Sequence, residues 1–455
     1  MNSAVLATLV PMNRWLVNRS HARLWYGQAV SLIGDAVFDT TLALWVGTIL
    51  LRGKSWAPAA VAGVMVAVAL ATLVVGPLAG VFVDRWDYRR TMLGADLVRA
   101  GLIGLLAVVA SLPAGVLDTK RTLVVLYGVV LLATAAAQFF NPARFALIGD
   151  VVPEAQRARA AGLGQATLAI AAIVGPPLAA PLLFAVGVRW ALLANALSFL
   201  VSFVLVRSVR VRAPAAAVRP AVHDGRPGLW RELVAGLRFF GRSRILVALA
   251  VTILLVQAGA GSLNALLVFF VPDNLHARPS WFGALGMVFG TGSVIGALGA
   301  GAAATRLGSA RTFCLGLFLG GVGIIVFARQ SALWPALLVF GLAAVPIGAL
   351  NTVFTPLVFR ATPREYLGRV WAVFAPAIQL ATMVSVLLAG WLASTVLRDL
   401  HATPGGLRLG RIDVIFLAAG LLVVIGSGYA TLALRAADRA RPPPREPVVL
   451  ENETG

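Results

Sequence analysis

Twelve apolar runs, each close to the length that crosses a bilayer, constrain this chain more than any other feature. They are Leu24–Leu51, Ala57–Val83, Thr91–Leu112, Leu123–Phe140, Arg159–Val186, Trp190–Val206, Ile245–Val271, Trp281–Thr305, Thr312–Ala328, Leu333–Phe359, Leu367–Leu397 and Val414–Leu434. A spanning helix needs about 20 apolar residues. Only 12% of the 455 residues are charged and 59% are hydrophobic, whereas a soluble domain is about 25% charged. The pattern predicts an all-α integral membrane protein with twelve transmembrane helices.

The net charge of +20 invites a nucleic-acid reading, but its placement argues against one. The basic residues sit in short segments between apolar runs, mostly in every second segment. Twenty-seven of the 38 fall in the N-terminal segment, the even loops and the C-terminal segment. A bias of that kind sets orientation in a membrane and puts both termini in the cytoplasm. An even number of spans is then required, as observed. The opening MNSAVLATLVPMNRW lacks a basic n-region and is interrupted by Pro11, so the first span reads as an uncleaved insertion signal.

One polar interruption is long. Residues 207–244 carry nine arginines and the stretch APAAAVRPAVHDGRPG, which suits a linker. The expected organisation is an N-terminal six-helix half (1–206), a cytoplasmic linker (207–244), a C-terminal six-helix half (245–435) and a disordered cytoplasmic tail (436–455).

The halves echo each other. Gly80, Arg85 and Arg90 recur as Gly301, Arg306 and Arg311, each set just after the second span of its half. Asn141, Pro153 and Arg159 recur as Asn351, Pro363 and Arg369, after the fourth. Two related halves facing each other across a central cavity is a transporter plan.

With these residues in view, the stretch GVFVDRWDYRR, Gly80 to Arg90, resembles the loop signature of the major facilitator superfamily. Asp87 departs from the usual glycine. Further stretches are similar to the drug-efflux branch that includes macrolide and siderophore exporters: SLIGDAVFDTTLALW in span 1, ADLVRA in span 3, FFNPARFALIGDVVP after span 4 and PREYLGRVWA before span 11. The resemblance implies two pseudo-symmetric six-helix halves. It also implies that Asp84 faces the partly positive N-terminal end of helix 11, near Leu367 and Gly368, and holds an inner gate shut. Gly80 would let neighbouring helices approach closely. Arg85, Arg89 and Arg90 would fix topology and meet anionic lipid.

Charges inside spans are costly and face a cavity or a partner. Asp35 and Asp39 lie four apart on one face of span 1. An apolar setting favours a protonated carboxyl, the property a proton-coupled exporter needs. They are read either as the coupling or substrate-facing acids or as structural hydrogen-bonding groups. Asp96 and Arg99, three apart in span 3, read as a structural pair. Among in-span amides, Gln257, Asn264 and Gln379 are cavity candidates. Span 5 carries Gly162, Gly175 and Pro176, with Ala171, Ala179 and Ala180 between or after them. That spacing resembles the antiporter signature of the superfamily with alanine for three glycines, and it keeps the small residues that close packing needs.

Other chemistry finds no support. TILLRGKS has Thr48 where a phosphate-binding loop needs its first glycine. His21, His223, His276 and His401 are scattered, and Cys314 is the single cysteine, so neither a metal site nor an intrachain disulfide is expected. No cofactor is expected, and no enzyme is read, since Asp35 with Asp39 is the single candidate catalytic pair. The favoured function is proton-coupled export of a small amphipathic molecule by alternating access. The partners are substrate, protons and membrane lipid, without nucleic acid, and the chain is expected to be a monomer. The alternatives are a dedicated siderophore or metabolite exporter, an importer using another ion or facilitated diffusion, and a non-transporting sensor. Two lysines among so many arginines suggest a GC-rich bacterial genome, hence the bacterial inner membrane.

Overall fold

The computed structural model describes residues 17–83, 85–113, 116–209, 238, 240–363, 366–402 and 409–439. Its principal elements are twelve helices, each long and apolar enough to cross a membrane. They are α1 (Arg19–Leu44), α2 (Ala57–Val83), α3 (Tyr88–Ser111), α4 (Thr119–Val151), α5 (Arg157–Pro181), α6 (Val188–Arg207), α7 (Arg244–Asp273), α8 (Phe282–Leu307), α9 (Ser309–Ala328), α10 (Leu333–Ala361), α11 (Leu367–Ser394) and α12 (Arg411–Arg439). A π-turn extends α1 through Leu50 and another extends α5 through Val186.

Local chemistry fixes where helices begin. Asn18, Asp87, Asp118 and Ser243 each accept a backbone N–H from the first turn of α1, α3, α4 and α7, satisfying a donor that the helix itself leaves open. Gly187, at φ 107°, makes the sharp joint between the π-turn and α6. The α11–α12 connection adds a short antiparallel pair, His401–Ala402 with Leu409–Gly410, which the apolar pattern did not signal.

Several boundaries differ from the sequence expectation. α4 runs on to Val151 through Pro142 and Arg144, about three turns past Phe140. Helical hydrogen bonding does not stop where hydrocarbon does, so the apolar run underestimates the helix. α12 continues to Arg439, so residues 436–439 of the expected tail are helical, and 440–455 lie outside the described residues. Most of the expected linker, 210–237, also lies outside them.

The packing is pseudo-symmetric. In the N-terminal half α6 packs on α1 and α3, α4 on α2 and α3, and α5 on α1. In the C-terminal half α12 packs on α7 and α9, α10 on α8 and α9, and α11 on α7. Advancing every helix by six turns the first set into the second. The same operation exchanges the two extensive contacts between halves, α2 with α11 and α5 with α8. The C-terminal half is filled by aromatic rings. Phe327 lies between Phe340 (4.5 Å) and Phe416 (6.3 Å), with Phe270 against it at 4.7 Å, an apolar solution to packing α7, α9, α10 and α12.

The start of α1 and the end of α12 share one side of the bundle, the terminus side. The halves meet tightly on the far side. The Ala59 N–H donates to Ser394 Oγ at 3.1 Å, and Gly390 lies against Pro58, Ala59 and Ala62. Gly283 and Gly286 lie against Pro176, and Gly290 against Ile173. Any side chain at Gly283 would run into the carbonyl of Pro176. Beyond this seal lies a hollow of about 910 Å³ whose rim carries Arg52, Lys54, Asp273, Arg398, Asp399 and Arg411.

Candidate functional site

The site grows from α1, a helix with small and polar residues on its packed faces. Gly27 lies against the Ser202 backbone of α6, and Gly34 against Ser198 and Asn195. These glycines, seven residues apart, let α6 come close enough for its polar side chains to meet α1. One position on from Gly34, Asp35 lies toward α3, and Gln28, seven residues before it, shares its side of α1. Asp35 Oδ2 stands 3.9 Å from Arg99 Nη1, and Arg99 Nη2 donates to Asp96 Oδ1 at 2.5 Å. The Arg99 guanidinium also sits over the rings of Phe140 (4.6 Å) and Phe199 (4.2 Å). Two carboxylates and two quadrupoles therefore hold one buried cation.

The two acids of α1 differ. The Asp35 side chain is 38% exposed and in reach of a cation. Asp39, one turn further on, is exposed within the span and has no ion pair or hydrogen bond among the described residues. Asp96 is fully buried. Asp96 and Arg99 do pair with each other, but the pair is tied to Asp35, a link that spacing along one helix could not reveal.

The other sequence candidates distribute as follows. Asp84 lies outside the described residues. Arg85 and Arg90 are exposed. Arg89 donates to the carbonyl of Val206 at 3.3 Å and to that of Arg207, and Arg23 donates to Ser208. Both arginines thus neutralise the C-terminal end of α6. Asp87 accepts the Arg90 N–H at 2.7 Å, which explains the departure from glycine: it caps α3.

Two glycine expectations need correction. Among the described residues neither Gly80 nor Gly162 is packed closely, since none lies within reach of a side chain placed at either. α2 leans on α11 through its far-side end, at Pro58 to Ala62. Gly175 does pack closely, against Ala36 of α1, and Pro176 forms the floor for Gly283. Gln257 donates to Thr382 Oγ1 at 2.7 Å and so bridges α7 to α11. Asn264 is exposed within α7, and Gln379 is half-buried in α11. Arg144, absent from the sequence candidates for the site, has a guanidinium over Phe145 at 4.7 Å. It lies in the α4 extension that the apolar run did not include.

A bundle of twelve helices long and apolar enough to span a membrane, packed in two halves on one plan, defines the class: a membrane transporter. The chain belongs to the major facilitator superfamily, whose family model matches residues 24–272 and 249–453. It is similar to macrolide efflux protein A of Streptococcus pyogenes, at 26% identity over 376 residues, covering 82% of this chain and 89% of that protein. It is also similar to the multidrug efflux pump Tap of Mycobacterium tuberculosis, at 28% identity over 349 residues, 74% of this chain and 78% of the pump. Among solved structures, a bacterial homologue of the iron transporter ferroportin in its inward-facing state superposes with a TM-score of 0.68. The identity there is 14%, covering 91% of this chain and 98% of that one. The protein is a multi-pass membrane transporter and not an enzyme.

Proposed function

We propose that this transporter exports a small amphipathic molecule from the cytoplasm by proton-coupled antiport. The observation that carries the reading is Asp35 and Asp39 on α1, two carboxylates inside the membrane-spanning bundle with a single cation in reach of one of them. Such groups are retained where protons or substrates are handled. The names of the efflux relatives support the direction. The excess of arginine on the terminus side supports a cytoplasmic location for both termini, in the inner membrane of a bacterium. On that orientation the tight packing of α2 with α11 and of α5 with α8 closes the outer side.

In the cycle, substrate enters between the halves from the cytoplasm. The halves rock about the midplane, the seal at Gly283 and Pro176 parts, and substrate leaves outward. A proton taken up at Asp35 or Asp39 resets the carrier. Asn264 and Gln379 are offered as uncharged contacts for substrate in the C-terminal half. Asp84, with Arg85 and Arg90, belongs to the inner gate, and the exposed arginines meet anionic lipid. Residues 207–244 act as a cytoplasmic linker between independent halves, and the carrier works as a monomer. Export of a dedicated metabolite such as a siderophore is the second reading, favoured by the same relationship to efflux proteins.

The test is uptake of a fluorescent amphipath into inside-out membrane vesicles energised by respiration. Accumulation that collapses on dissipating the pH gradient supports antiport. Accumulation indifferent to that gradient removes proton coupling and leaves another ion or facilitated diffusion.

A further inference from the structure

The two halves share a packing plan but not a chemistry. The seam where α1, α3 and α6 meet corresponds to that of α7, α9 and α12. In the C-terminal seam no Asp, Glu, His, Lys or Arg stands in the middle of the three helices. Its buried polar groups there are the hydroxyls of Thr252, Ser262, Thr312 and Ser427, and Phe270, Phe327 and Phe416 pack at its far-side end. The N-terminal seam instead buries His21, Gln28, Ser31, Asp96, Arg99, Asn195, Ser198 and Ser202, every one of them more than nine-tenths. Pseudo-symmetric packing shows that the fold does not require charged side chains there.

Many of these groups lack partners. His21 Nδ1, Gln28 Nε2, Asp96 Oδ2, Arg99 Nε, Asn195 Nδ2 and Ser202 Oγ are buried without a hydrogen bond. Ser202 lies beside the Asp96 carboxylate but makes no well-aligned bond to it. Orphan buried polar atoms are rare in folded proteins and mark sites that ordered water completes. Here they follow a line. His21, Gln28 and Asp35 recur every seven residues, so they lie along one side of α1. The line covers about 21 Å, from the terminus side to mid-depth. At its mouth His21 lies beneath the ends held by Asn18, Arg23 and Arg89, which bond to Val151, Ser208 and the last carbonyls of α6.

We infer that this seam is a hydrated proton route inside the N-terminal half, joining Asp35 to the cytoplasm through Gln28, Ser202 and His21, apart from the substrate path between the halves. The inference rests on the proton-coupled reading above. A proton leaving the Asp35 carboxyl passes to water. Each hop breaks one O–H or N–H bond as it forms the next, and His21 hands the proton to bulk water. Arg99 and Asp96 from α3 and Arg144 from α4 set the field along the route. α6 offers no ionisable side chain between Arg189 and Arg207, nor α5 between Arg159 and Pro181.

Gln28→Met and Ser202→Ala remove links in the chain at little cost in volume. In proteoliposomes, transport driven by a pH gradient is expected to fall about tenfold or more in each, while substrate counterflow, which needs no net proton movement, stays near the wild-type rate. Hydroxyl-radical footprinting by X-rays, which oxidises side chains next to ordered water, is expected to modify His21 and Phe199 in the wild type although both are buried. Unaltered gradient-driven transport in both variants, or no labelling of either residue, overturns the route. Labelling with intact coupling means that the water is structural only. Wild-type counterflow without gradient-driven transport is failure of the antiport reading itself, and the route falls with it.

Discussion

Arg99 Nη1 stands 3.9 Å from Asp35 Oδ2 across the seam between α1 and α3, while the other arm of the same guanidinium holds Asp96 at 2.5 Å. One cation thus serves a fully buried carboxylate and a half-exposed one. The buried pair is the anchor, and the longer contact is the one that, under the proposed antiport, substrate or a proton would replace.

Arg99→Leu leaves Asp96 buried beside no cation. Losing one partner of a buried pair costs about 3–5 kcal/mol, so the variant is expected to melt well below the wild type. Arg99→Lys does not restore it, because an ammonium cannot fork between Asp96 and Asp35 or stack flat on Phe140 and Phe199. Cys314, the single cysteine, is partly buried in α9, so its labelling by a thiol-reactive dye reports unfolding without any engineered site.

Asp39→Asn removes no ion pair. It is expected to shift stability by no more than about 0.5 kcal/mol and yet to lower gradient-driven transport. Asp35→Asn is expected to impair transport and also to loosen the Arg99 cluster. Measuring both variants by dye melting and by transport separates a carboxylate that works from one that merely packs.

Asp87→Ala removes the cap on α3 and is expected to cost about 1 kcal/mol, whereas Asp87→Gly costs only a few tenths. The melting order wild type, then Gly, then Ala checks whether capping is the reason for aspartate at this place in the loop signature.

Gly283→Leu places a side chain against the Pro176 carbonyl, where nothing larger than hydrogen fits. Overpacking of this kind costs about 1–3 kcal/mol, and it falls on the far-side-closed state alone. Spin labels on the far-side ends of α5 and α8 are expected to move apart in this variant. An unchanged distance distribution would mean that the glycine is not what permits the seal.

Much of this architecture was legible in the sequence. Hydrocarbon thickness imposes a length on every span, so twelve apolar runs translated directly into twelve helices. The echo of Gly80, Arg85 and Arg90 in Gly301, Arg306 and Arg311 announced the two halves. What stayed hidden depends on contacts between helices far apart in sequence. Nothing near Asp35 shows that Arg99, on another helix, reaches it. The polar seam of Gln28, Asn195 and Ser202 was not read from the sequence, because their common place arises from the packing of α1, α3 and α6. The roles of Gly80 and Gly162 were misread because a glycine in a motif says that closeness is tolerated, not that it occurs in a given state of the carrier.

In the proposed cycle a carboxylate on α1 exchanges protons for substrate. Purified protein in liposomes, loaded with a pH dye and placed in an imposed pH gradient, tests it most directly. Addition of a macrolide or another amphipathic substrate is expected to trigger proton movement against the direction of substrate. The signal is expected to vanish in Asp35→Asn, which still binds substrate. Substrate transport with no proton signal, or an Asp35→Asn variant that moves protons at the wild-type rate, would contradict the account.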